Sequence, residues 1–164
     1  MKYSTLRTLI FVALVAIWAC LILVPAAAAQ ARDVAVIVNP NNSATNVTLS
    51  DLRKIFSGEK HSWPGGAPIK LLLSAPGSRE RLVLLKLLGM SESDYKQFWT
   101  AQIVRGEADA EPVSLPSFGM VKEAVQVYHG AIACVDYRDI RPGMLMKVLK
   151  VDGRLPGESG YPLH

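Results

Sequence analysis

Short apolar runs alternate along this chain with helix patterns that carry their own start and stop signals, and that alternation leaves few folds open. Val34-Ala35-Val36-Ile37-Val38 is an unbroken apolar run ended by Asn39-Pro40-Asn41-Asn42, which suits a strand buried on both faces. Thr48 and Asp51 then fit a capping box, Leu52, Ile55 and Phe56 share one helical face, and Gly58 supplies a left-handed stop. A Gly- and Pro-containing loop over residues 57–68 leads to a second buried strand at residues 69–73, after which Gly77-Ser78 opens a helix over residues 79–88 that Gly89 ends. That helix is apolar at Leu82, Val83, Leu84, Leu85, Leu87 and Leu88, wider than one stripe, so cover on most sides is expected.

The pattern continues. Ser91 and Asp94 cap a third helix with Tyr95, Phe98 and Trp99 on one face. Beyond a polar loop at residues 105–112 come a short strand at residues 113–115 and a helix capped by Ser117, with Val121, Ala124, Val125 and Tyr128 facing inward and Gly130 closing it. Residues 131–135 and 144–151 are further strand candidates, and the Gly- and Pro-rich residues 152–164 read as a loose tail.

Strands alternating with helices imply an α/β domain built on a mainly parallel sheet with helices on both faces. Ligands of such sheets gather at the carboxyl ends of strands, where helix N-termini point backbone N–H groups into a crevice. Gly77-Ser78-Arg79 occupies such a place, and its amides, hydroxyl and guanidinium could converge on an oxyanion. The same residues also suit a plain helix cap.

Residues 1–31 say where the protein goes. Lys2 and Arg7 precede an apolar run over residues 9–24, and Pro25 leads into a string of alanines. This is the layout of a signal peptide cleaved after Ala29 or Ala31, giving a periplasmic or secreted protein. The alternative is an uncleaved membrane anchor, because the run counted on to Ala29 reaches the roughly 20 apolar residues that span a bilayer. Residues 32–151 then suit one domain. Of 18 Lys and Arg against 14 Asp and Glu, Lys2 and Arg7 lie in the leader, so the remainder carries +2. That balance is no nucleic-acid footprint. Of the two cysteines Cys20 falls in the leader, which leaves Cys134 without a disulfide partner.

Other chemistry is sparse. His61, His129 and His164 have no neighbour at metal-ligand spacing, and no metal or cofactor is expected. Cys134 lies in an apolar strand and reads as a buried, inert thiol. Asp109 with Glu111, and Asp136 with Asp139, read as solvated charges; Trp63 and Trp99 read as core or lid residues. No nucleophile elbow or Gly-Lys phosphate loop is present, and no enzyme is expected.

Several stretches, in this order, resemble a known family. Leu49-Ser50-Asp51-Leu52-Arg53-Lys54-Ile55-Phe56-Ser57-Gly58 followed by Trp63-Pro64-Gly65-Gly66 resembles the second lobe of phosphate-binding proteins of ABC transporters. The run from Val34 through Pro40 is similar to that family's crossing strand and Asn-Pro turn, and Gly130-Ala131-Ile132-Ala133-Cys134-Val135 is similar to its Gly-Ala-Ile-Gly-Tyr-Val strand. The resemblance implies a short, single-lobe member of periplasmic-binding-protein type. Its anion loop, an Arg followed by Gly-Ser-Gly-Thr-Arg, falls on residues 74–80. There Gly77, Ser78 and Arg79 carry over, Ser74 stands at the upstream Arg, and the Gly-Thr pair is missing.

What the resemblance implies is an exported solute-binding-like protein that takes phosphate or a related inorganic or organic anion for ABC-type uptake or sensing. Gly77, Ser78, Arg79 and Ser74 are the expected anion-binding residues. The expected partners are an ABC transporter permease or another envelope protein, and a second copy in a homodimer that supplies the missing wall. The alternative is a ligand-free interaction or structural module at the cell envelope.

Overall fold

The computed structural model describes residues 33–164; the leader reading falls outside them. In chain order the elements are β1 (Val34–Val38), β2 (Asn46–Val47), α1 (Leu49–Phe56), β3 (Lys70–Ser74), α2 (Arg79–Leu88), α3 (Glu92–Val104), β4 (Val113–Leu115), α4 (Phe118–Val127), β5 (Ala131–Asp136), a single 3-10 turn (Tyr137–Asp139), β6 (Lys147–Val148) and β7 (Lys150–Val151). Among these residues no helix is long and apolar enough to cross a membrane.

Five strands form one sheet in the order β4-β3-β5-β1-β6. β4, β3 and β5 are parallel, and β1 runs against both β5 and β6. Four of the five strands therefore point the same way, and the domain is mixed α/β with a mainly parallel sheet. A second, two-stranded pairing joins β2 and β7 in parallel.

The apolar runs become central strands because both faces are covered. All five residues of β1 and all six of β5 are buried. On one face Val34, Val36, Ile132 and Cys134 meet Leu52, Ile55 and Phe56 of α1 and Tyr95 and Trp99 of α3. On the other, Ala35, Ile37, Leu72 and Ala133 meet Val121 and Val125 of α4. Each fully buried Val or Ile is worth about 1.5–3 kcal/mol relative to exposure.

The helices start and stop where the local chemistry dictates. The hydroxyls of Thr48 and Ser91 accept from the amides of Asp51 and Asp94, whose carboxylates accept in return, so both capping boxes are complete. Those bonds hold both carboxyls below the usual Asp range. Gly58 and Gly89 take left-handed φ values of 73° and 69°. Trp63 is a core residue whose Nε1 donates to the Gly130 carbonyl at 3.0 Å.

Four expectations need correction. Leu82 on α2 is 55% exposed, because only the side of α2 carrying Leu84 and Leu85 is buried. Tyr128 turns outward at 49% exposure, since as C-cap of α4 it is extended and leaves the helical register. Residues 144–151 do not form one strand: β6 pairs with β1, β7 pairs with β2, and buried Leu149 between them donates to the Val36 carbonyl. Residues 152–164 are not loose. Tyr161 and Leu163 are buried, the Tyr161 hydroxyl donates to the Val34 carbonyl at 2.8 Å, and the Val34 amide donates to the Leu163 carbonyl at 2.8 Å.

Candidate functional site

Parallel pairing aligns the carboxyl ends of β3 and β4: Ser74 lies opposite Leu115, and β5 runs beside β3 to end at Asp136. Each of the first two strands hands over to a helix at that edge. Ser78 caps α2 and Ser117 caps α4, each hydroxyl accepting from the amide three residues on. Two ten-residue helices thus open at the carboxyl edge of the sheet, one on each of its faces, and the first-turn amides of each have no acceptor within the helix.

Gly77 reaches this edge with φ at 80°, a left-handed turn that swings the chain from β3 into α2. The Ser78 amide is spent on the Ala75 carbonyl at 3.1 Å, closing that turn. Arg79 is the first residue of α2, partly exposed, and its guanidinium lies 3.4 Å from the Asp136 carboxylate. The structure therefore brings Gly77, Ser78 and Arg79 together. Ser74 ends the same strand, but its hydroxyl is buried and donates to the Cys134 carbonyl at 3.2 Å, tying β3 to β5.

Asp136 is the residue that sequence reasoning misjudged. Expected as a solvated charge, it is 7% exposed. One oxygen accepts from Nε of Arg138 at 3.0 Å and from the Arg138 amide at 2.9 Å, and the other from Nη2 of Arg138 at 2.8 Å and Nη1 of Arg79. The Arg138 fork holds the carboxyl below the usual Asp range, with Arg79 adding to the effect. Its signal was legible in principle: an Asp-x-Arg at the end of an apolar strand places acid and base at one edge. Arg79 and Arg138 thus meet at one carboxylate, while Glu80 in the first turn of α2 and Asp139 on the 3-10 turn add negative charge at the same edge.

Chemistry of other kinds finds little here. Cys134 is buried, and burial pushes its thiol up to about 12, so it is a packing residue. Among the described residues no three His, Cys, Asp or Glu side chains gather as metal ligands. Two open grooves, of about 300 and 330 Å³, flank β3 and β4, the second reaching Leu115 at the carboxyl end of β4, and neither touches any of the four expected site residues.

No protein-family model matches the chain, and no curated protein matches it. Solved structures do. A protein from Clostridium perfringens assigned as a phosphate ABC transporter substrate-binding protein, with phosphate bound, is similar at a TM-score of 0.60 and 21% identity over 76% of this chain and 46% of that one. An ABC-type phosphate transport receptor from Vibrio cholerae matches at 0.60 and 18%, over 76% and 48%. PstS from Borrelia burgdorferi matches at 0.58 and 20%, over 76% and 49%. The chain thus spans about half the length of these proteins, and the likeness at this identity is one of fold. The described domain has the periplasmic-binding-protein fold, in the form of a single lobe like that found within the substrate-binding proteins of phosphate ABC transporters.

Proposed function

We propose that this protein is exported and binds an oxyanion of the phosphate class at the carboxyl edge of its sheet, in solute uptake or sensing by an ABC-type system. The observation that carries the reading is the opening of α2 at the carboxyl end of β3, beside the partly exposed guanidinium of Arg79. Backbone N–H groups and a guanidinium are the donors an oxyanion needs. The solved structures of similar fold support it, since they include one with phosphate bound. Gly77 and Ser78 shape the cradle, Arg79 supplies charge, and Ser74 acts only by fixing the strand end beneath them.

A lone lobe leaves such a site wet on one side, which weakens charge-assisted bonds. Affinity is therefore modest unless an ABC permease, another envelope protein or a second copy covers the edge. The runner-up reading is a lobe kept as an interaction module without a ligand, and it draws on Asp136, which already engages both Arg79 and Arg138.

A thermal-shift series on the full chain with phosphate, sulfate and small carboxylates separates the two. Anion binding raises the midpoint as ligand exceeds Kd, and Arg79→Ala abolishes the rise. No rise with any anion at tens of millimolar rejects the binding reading and favours the interaction module.

A further inference from the structure

β4 is the terminal strand of the sheet, paired with β3 on one side only. A free edge of this kind presents unpaired backbone donors and acceptors to any extended chain that approaches it. What sets this edge apart is that both of its faces are open. On the α3 face a groove of about 300 Å³ runs beneath the start of β4, with Leu71 and Trp99 among its apolar residues and Glu107, Asp109 and Glu111 along the loop that enters the strand. On the α4 face a groove of about 330 Å³ is lined by Leu72, Leu115, Met120, Val127 and Tyr128. Both grooves reach Lys70 and Val113, so they flank the same edge.

A strand sends successive side chains to opposite faces. A strand added to β4 would therefore place alternate side chains in the two grooves, and each groove has a chemical preference. The α4 groove is mostly apolar, with Lys70 and Glu123 its charged residues, and its apolar side chains are exposed: Met120 is 45%, Val127 69% and Tyr128 49% accessible, with Val113 at 37% beside them. Contiguous apolar exposure of this sort marks an interaction surface. The α3 groove carries three carboxylates on one wall. Glu107 is paired with Arg105 at 2.9 Å, whereas Asp109 and Glu111 have no ion pair among the described residues. Two lysines that line the same groove are engaged elsewhere: Lys60 bonds Asp51 at 3.1 Å, and the Lys70 ammonium sits 5.7 Å from the centre of the Tyr128 ring.

We propose that the free edge of β4 accepts an extended peptide as an added strand, in which aliphatic side chains that enter the α4 groove alternate with basic ones that meet Asp109 and Glu111. The three residues of β4 limit the pairing to a short segment, so specificity comes from the alternation and affinity is that of a transient partner. This surface shares no residue with Gly77, Ser78, Arg79 or Ser74, although its α4 groove reaches Leu115 at the same end of the sheet as Ser74.

The test is a calorimetric titration of the full chain with acetyl-Val-Arg-Val-Arg-Val-amide, beside the same peptide with Pro at its centre. Saturable binding is expected, at least fivefold weaker for the Pro peptide, for Met120→Glu and for Glu111→Lys, the last two being exposed positions whose folding is checked by circular dichroism. Binding that is absent, or equal for both peptides, overturns the proposal. Sedimentation of the chain alone gives a further outcome: a dimer broken by Met120→Glu would mean that a second copy takes the edge, which also overturns it.

Discussion

A methyl group at position 130 has nowhere to go: a Cβ built on Gly130 would lie 1.7 Å from the Pro68 carbonyl oxygen. The loop before β3 crosses directly over the start of β5, and the neighbouring Lys70 amide donates to the Gly130 carbonyl at 3.0 Å. Gly130→Ala is expected to destabilise the domain by about 3 kcal/mol, read as a drop in the urea midpoint; an unchanged midpoint would contradict the close approach. The sequence marked Gly130 as a helix stop, and that was the wrong reason, because an encounter with residue 68 leaves no local trace. Asp136 makes the same point with charge. Its folded pKa lies below the ordinary 3.8, so the stability it contributes is present above that value and is lost as pH falls through the folded one. Wild type should therefore lose more stability than Asp136→Asn between about pH 5 and pH 2 in urea titrations; parallel curves would show that the carboxylate contributes nothing specific.

Local signals decided the elements that were predicted well. Both capping boxes, the bounds of α2 and the strand over Val34–Val38 follow from side chains within a few residues of one another. The C-terminal segment fails by the same logic. Its Gly and Pro content suggests a free tail, yet Tyr161 and Leu163 are buried against the face that holds Val34, and the Gly157 amide donates to Asp33 at 2.6 Å. What docks it is contact with a strand more than a hundred residues earlier, which composition cannot reveal. Leu163→Ala should cost about 2–4 kcal/mol in equilibrium unfolding, a result that a loose arm would not give; a cost near zero would contradict the docking.

At the scale of the whole molecule, the order of strands and helices was enough to place the start of α2 at the carboxyl end of β3 before any coordinates, because parallel βα units put helix N-termini at strand carboxyl ends. It was not enough to show that Asp136 and Arg138 join Arg79 there, since the placement of β5 beside β3 is a matter of topology. Nor did it reveal the grooves flanking β4, which arise because the sheet simply stops at that strand. The most direct test of the anion edge is an amide-resolved NMR titration of the full chain with phosphate. Saturable shifts at the amides of Gly77, Arg79, Glu80 and Phe118, with the groove residues Glu111 and Val127 unmoved, are the predicted result. Shifts confined to the grooves, or no shift at tens of millimolar phosphate, would contradict it.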